Sequence, residues 1–345
     1  MSRLTPDADD ARFIRRVVIL IMIAGVTAAL FKAGDLLILA FGSMLGAIII
    51  HAVKELYEER LKVPARLALV LGYLTVLAVM ALLFWLFGVQ FAPQINALVV
   101  RTPGLLDQLA HWTSQTPVGA RIARAVQAAY ADSRIAQDVG TLVRGSGEFL
   151  LNCLLLLVGA LFFAGEPDIY KRGALLLVPK TQRPAFADTL DDVAHALRLW
   201  LRAQLIQMTT MGVLVGLGLW IADVPSPAAL GLLTGLSEFI PYVGPTAAML
   251  PALGLAATAG TGPLVGALIT FAIVRLLQSN LITPFVTQRV VAIPPAITLF
   301  AIIGIGMVFG LFGLFFSAAL LVAIFTVIRS LYLREVLGED VESKR

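Results

Sequence analysis

Seven apolar runs govern what this chain can become: 17–31, 36–50, 67–89, 149–165, 203–222, 264–282 with Arg275 inside it, and 311–328. Each approaches or reaches the roughly 20 residues that a helix needs to cross a bilayer. A spanning β-barrel would alternate polar and apolar residues instead of running continuously apolar. The expected fold is therefore an all-α, polytopic membrane helical bundle. Composition agrees, with 59% hydrophobic and 14% charged residues, against about 25% charged in a soluble domain. The single cysteine, Cys153, lies in an apolar run and excludes a disulfide within the chain. His51, His111 and His195 are scattered without ligand spacing, so neither a metal site nor a cofactor is expected.

Orientation follows from the basic residues. Arg12, Arg15 and Arg16 before the first run resemble a secretory signal, yet no small-residue cleavage site precedes Lys32 and Asp35, so the run reads as an uncleaved span. With the N-terminus in the cytoplasm, the inner segments 1–16, 51–66, 166–202, 284–294 and 329–345 hold 19 of the 26 lysines and arginines. Both termini are then cytoplasmic. The net charge of +4 serves orientation, and no nucleic-acid partner is expected. Three parts follow: an N-terminal three-span segment (1–89), a helical extracytoplasmic arm (90–147) and a C-terminal core (148–345). In the arm, Ile122, Val126, Ala129 and Tyr130 recur at helical spacing. On the cytoplasmic side, EPDIYKR (166–172) stops a span, and Asp188, Asp191, Asp192, His195, Arg198 and Arg202 read as a salt-bridged helix start with i,i+4 neighbours.

The most informative stretch is SEFIPYVGPTAAMLPALG (237–254). The flanking segments 228–240 and 246–259 reach only about 20 Å as helices, too short to span comfortably, so they fit a hairpin. Pro241 and Pro245 lack the N–H that would continue a helix, and Gly244 permits backbone shapes that other residues avoid. In hydrocarbon such a break is tolerated only where protein or a water-filled cavity surrounds it. Transporters bind ions and polar solutes at discontinuities of this kind. The competing reading is a loop at the cytoplasmic interface. Glu238 sits beside the break, where an ionised carboxylate needs a cation, a donor or water. Arg275, the one basic residue deep in a run, is its candidate partner, and Gln278, Ser279, Asn280 and Thr283 add polar groups to the same helix before Pro284. One such residue could be helix-to-helix glue; the set is better explained by a hydrated path.

A second hairpin is expected from Pro294, where a short apolar helix reaches the glycine pair Gly310 and Gly313, roughly seventy residues after the first. Hairpins entering from opposite faces form the pattern of an inverted repeat.

SEFIPYVGP, QSNLITP (278–284) and GLFG (310–313) are similar to the signature regions of the AI-2E family of bacterial inner-membrane transporters, the autoinducer-2 exporter-like proteins. The order of features agrees over nearly the whole chain, including a basic loop ending in VPAR (63–66), and PYVGP is the most specific block. The resemblance implies about eight spans, a homo-oligomer that is pentameric, and export of a small polar signal or, in some members, cation exchange. The positions carried over are Pro241, Tyr242, Gly244, Pro245, Asn280, Pro284, Gly310 and Gly313. Two departures bear on the substrate more than on the fold: Ser317, Ala318 and Ala319 replace a usual proline, and Arg275 stands where a neutral residue is expected. The favoured function is a secondary or facilitated exporter of a small polar solute, with a cation/proton antiporter using Glu238 as the alternative. A scaffold built on the arm is a further reading. An enzyme is not expected, because the chain holds no HExxH, GxSxG or nucleotide-binding Gly-x-x-x-x-Gly-Lys motif.

Overall fold

A computed structural model describes residues 33–86, 146–282 and 293–331, together with Val17. The rest of the first apolar run, the arm up to residue 145, and Thr283 and Pro284 lie outside the described residues. Among those described, nine α-helices and no strands occur: α1 (Gly34–Leu61), α2 (Ala65–Leu86), α3 (Ser146–Gly165), α4 (Pro167–Leu176), α5 (Arg183–Ile221), α6 (Pro227–Ser237), α7 (Val243–Ala259), α8 (Thr261–Leu277) and α9 (Pro295–Val327). A π-turn, Gln278–Ile282, prolongs α8.

The chain punctuates these helices with its own chemistry. Lys62 turns left-handed at φ 53° and Pro64 blocks continuation, which separates α1 from α2. Proline opens α4, α5, α6 and α9, where the missing N–H would have no partner in the first turn anyway. Among the described residues, five helical segments are long and apolar enough to cross a membrane, six if α3 with α4, bent by 88° against it, is counted as one. The molecule is thus an all-α polytopic membrane protein, with large apolar side chains on its outer surface, such as Leu74 and Leu154.

Glycines set how closely the helices approach. Gly42 and Gly46 of α1 meet Leu156 and Ala160 of α3, so these two helices run in parallel. The α5–α6 contact is tighter. A Cβ at Gly231 would lie 2.6 Å from the carbonyl oxygen of Gly212 and the Cα of Gly216, and one at Gly235 would lie 2.6 Å from the carbonyl of Met208. Two Gly-x-x-x-Gly faces, 212/216 and 231/235, therefore bring the backbones of antiparallel helices into contact, the small-residue mode by which helices associate in lipid.

Length alone assigns α9 as one span, but 33 residues would run about 50 Å against a hydrocarbon core of about 30 Å. At Gly310 the backbone leaves the helix (φ 62°, ψ −148°). Ile305 and Gly313 would stand about 12 Å apart along a straight helix, yet a Cβ at Gly313 would lie 2.7 Å from the carbonyl of Ile305. The chain folds back on itself, and α9 is the second hairpin, with arms 295–309 and 311–327.

The two hairpins are opposed along α5. Helix α6 descends beside α5 from Gly216 to Met208 and ends with Glu238 at Gln204. The second arm of α9 takes over farther toward the start of α5, with Phe316 in the cluster holding Trp200, and Ser330, just beyond the arm's end, bonded to Asp192. The bends face each other where Phe239 stacks on Phe315 (ring centroids 4.2 Å, interplanar angle 14°) and meets Trp200 edge-on at 5.5 Å. The salt-bridged start of α5 differs from expectation in its partners. Asp191 pairs with Lys171 of α4 at 2.6 Å and Asp192 accepts from the Ser330 hydroxyl at 2.8 Å, so these carboxylates tie α5 to other elements and not to its own next turn.

Candidate functional site

Between Ser237 and Val243 the chain stops being a helix and starts one again. Ile240 N donates to Ser237 O (3.0 Å), Val243 N to Pro241 O (2.7 Å) and Gly244 N to Ile240 O (3.0 Å), so the turn satisfies these amides from within. Tyr242 carries the reversal at φ 64°. Gly244 then passes so close to the preceding helix that an added Cβ would lie 1.8 Å from Ser237 O. Only glycine fits there. Gly244 and Pro245 are buried, Pro241 is half-buried, and the Tyr242 side chain is exposed.

This turn holds Glu238 inside the protein, with 3% of its surface accessible. Gln204 of α5 donates through Nε2 to the Glu238 backbone carbonyl at 2.7 Å. Gln278, in the π-turn after α8, donates through Nε2 to Glu238 Oε2 at 2.9 Å. Arg275 Nη1 donates to Gln278 Oε1 at 2.5 Å and stands 3.5 Å from Glu238 Oε1 as an ion pair. Oε1 itself, though buried, accepts no hydrogen bond. The site thus joins α5, the hairpin turn and the end of α8 around one carboxylate. Its half-exposed guanidinium gives it an open edge. Removing Arg275 would leave the buried Glu238 carboxylate without its counter-ion, whereas Arg275, half-exposed, can be solvated without Glu238.

Of the residues singled out in the sequence, Glu238, Arg275 and Gln278 come together, with Pro241, Gly244 and Pro245 shaping the turn that carries the acid. Asn280 does not join them. It is exposed, and its amide donates to Leu276 O at 2.8 Å and Ser279 Oγ at 3.2 Å. Pro284 lies outside the described residues. Of the two glycines expected at a helix contact, Gly313 makes one against Phe309 and Ile305, whereas Gly310 has open space at its Cβ position and serves the bend. Gln204 escaped the sequence reading, although an amide opening the apolar stretch 203–222 was the signal available. Among the described residues, no group of three His, Cys, Asp or Glu side chains could hold a metal ion.

Comparison with known sequences gives this geometry a context. The profile of the family described as "AI-2E family transporter" matches residues 18–333. Three Bacillus subtilis (strain 168) sequences, each carrying the designation "Putative transport protein", are similar to the chain. YrrI is 29% identical over 153 residues, 44% of this chain and 43% of YrrI. YueF is 21% identical over 304 residues, 84% of this chain and 81% of YueF. YtvI is 26% identical over 181 residues, 52% of this chain and 48% of YtvI. The matched region spans less than half the length of YrrI and of YtvI.

Proposed function

Because this chain belongs to the AI-2E family of transporters, we propose that it moves a small polar solute, an autoinducer-2-like signal, outward by a secondary or facilitated mechanism. The observation that carries the proposal is Glu238: a buried carboxylate at a helix break whose Oε1 has no hydrogen-bond donor, beside a half-exposed guanidinium. A passing solute with hydroxyl or amine donors completes the coordination of Oε1 and exchanges with Arg275. The interrupted backbone at 238–242 and the polar end of α8 form the path, as in other transporters built on discontinuous helices. In the same proposal the protein is a homo-oligomer, a pentamer, of the bacterial inner membrane with both termini cytoplasmic.

The unsatisfied oxygen also favours a second reading, cation/proton antiport with Glu238 as the coupling carboxylate. Flux assays on the purified protein in liposomes separate the two, with candidate solutes loaded inside and pH or sodium gradients imposed in turn. For the exporter, solute efflux proceeds without a gradient, and Glu238→Gln slows it roughly tenfold or more, since a hydrogen bond to a charged group contributes about 1.5–3 kcal/mol. Cation flux that requires a proton gradient and disappears in Glu238→Gln establishes antiport. Solute flux unaffected by that substitution removes the carboxylate from the path.

A further inference from the structure

Helix α4 lies apart from the site around Glu238, none of whose residues it carries. It leaves α3 at a bend of 88° immediately after the span ends. None of its residues is buried. Ile169, Gly173 and Leu176 fall at i, i+4 and i+7 on one face, continued by Leu177; Ile169 is 53%, Leu176 69% and Leu177 89% exposed. The opposite face rests on α5 through the Lys171–Asp191 ion pair. Tyr170, at the edge of the apolar face, meets Phe163, which lies within the last turn of the span (centroids 4.4 Å). That contact turns the exposed apolar face toward the side from which α3 arrives, the hydrocarbon side. A short helix with this division lies in the membrane interface.

The charges around it match an anionic surface. Residues 166–183 carry Lys171, Arg172, Lys180 and Arg183 against Glu166 and Asp168. Lys171 is occupied by Asp191, Arg172 uses its Nε on Asp168 O, and Arg183 uses its Nε on Val178 O. These contacts leave the outer guanidinium nitrogens of Arg172 and Arg183, and the exposed Lys180, available to other partners. A cleft of about 520 Å³, lined by Asp168, Lys171, Arg172, Leu175 and Ala187, opens between α4 and α5.

We infer that α4 is an interfacial foot whose cleft with α5 takes the phosphate headgroup of an anionic phospholipid, the acyl chains lying along Ile169, Leu176 and Leu177. The apolar face sets the depth, and Arg172 with Lys180 selects the headgroup, since each basic side chain near an anionic membrane surface favours it about fivefold.

The test uses the full chain in vesicles. Cys153→Ala removes the native thiol, and a bimane fluorophore is attached at Leu176→Cys or, as a reference on the lipid-facing surface of α2, at Leu74→Cys. The probes are phosphatidylglycerol and phosphatidylcholine carrying a nitroxide near the headgroup, compared at equal mole fraction. At Leu176 the phosphatidylglycerol probe quenches about threefold more strongly or better, in line with this electrostatic preference, while at Leu74 the two probes quench alike. The double substitution Arg172→Gln with Lys180→Gln abolishes the preference without removing the quenching, because the apolar face still holds α4 in the interface. Millimolar inorganic phosphate leaves the preference in place. Three results overturn the inference: free access of aqueous iodide to the Leu176 label with no quenching by either lipid, equal quenching by the two lipids in the otherwise unaltered chain, or loss of the preference on adding phosphate, which would assign the cleft to a free anion.

Discussion

Replacing Gly244 by alanine puts the hairpin turn to its most direct test. The new Cβ would lie 1.8 Å from Ser237 O and 2.6 Å from Ser237 C, whereas ordinary contact begins at 3.4 Å. The start of α7 must therefore retreat from α6 by about 1.6 Å, the difference between 1.8 and 3.4 Å. The atoms in the way are backbone, so no side-chain rotation relieves the clash. A shift of that size carries the Gly244 N to Ile240 O bond from 3.0 Å out of hydrogen-bonding range. Overpacking costs about 1–3 kcal/mol, and the lost bond adds about 1 kcal/mol. Two other glycines calibrate the result. Gly304 has nothing within 4 Å of its Cβ position, so Gly304→Ala is neutral or gains the roughly 1 kcal/mol of alanine's helix preference. Gly310 also has open space, but it sits at φ 62° and ψ −148°, where a side chain costs on the order of 1–3 kcal/mol. Heating each variant in detergent and following the surviving monodisperse protein by size exclusion should rank Gly304→Ala above Gly310→Ala, with Gly244→Ala lowest. Solute flux should fall in Gly244→Ala even at temperatures where the protein remains folded, because the turn that must give way joins α7 to Glu238, the residue next to Ser237. If Gly244→Ala melts and transports like Gly304→Ala, the close approach is dispensable and the turn is an ordinary loop.

Three further outcomes follow from the same contacts. Gly231→Leu drives a side chain into the backbone of Gly212 and Gly216, and we expect it to separate α6 from α5 and abolish monodisperse purification, whereas leucine at the open Gly304 leaves the elution profile unchanged. Gln204→Leu strips the Glu238 carbonyl of its donor; leaving a buried acceptor unpaired costs about 1–3 kcal/mol, read as a lower melting midpoint that Gln204→Asn, too short to reach, does not restore. With Cys153 removed, cysteine at Tyr242 or Asn280, both exposed, should react with water-soluble thiol reagents if the path is hydrated; failure to react from either side of the membrane would count against a water-filled route.

Much of this architecture was readable in the residues, for reasons that can be named. The long apolar runs could only be spans, and the prolines at 241 and 245 could only interrupt a helix, so the ends of α6 and α7 fall near the expected segments. The pairing of Glu238 with Arg275 was foreseeable, because each is an ionisable group in an apolar setting and needs the other. What remained hidden depends on three-dimensional register. The π-turn at 278–282 turns Gln278 toward the carboxylate while Ser279 and Asn280 find acceptors on their own helix. No periodicity argument separates neighbours in that way. The Gly-x-x-x-Gly pairs at 212/216 and 231/235 lie inside uniformly apolar stretches, where they read as hydrophobicity alone. Similarly, EPDIYKR reads as the end of a span, and only the bend at Pro167 reveals an amphipathic helix with its own partner surface.

The site is held by two seams of different kinds, and the difference bears on how it could open. Toward α5, the hairpin is fixed by backbone against backbone at Gly212, Gly216, Gly231 and Gly235, with Gln204 sealing the end. Such a contact has no rotamers to adjust, so α5 and α6 move together or not at all. Toward the end of α8, the hairpin is held by the polar contacts of Arg275 and Gln278 and by side-chain packing of Val274 and Ile282 in the cluster that holds Leu230 and Ala252, all through side chains that can readjust. Helix α8 is itself anchored to α5 at its opposite end, where Gly266 meets Ala222 and Thr270 meets Gly218. A rearrangement that exposes Glu238 therefore costs least if the far end of α8, with its π-turn, swings while α5 and α6 stay joined. A solute that offers a donor to Oε1 replaces what Arg275 gives up in that movement, so binding and opening favour one another through the same oxygen.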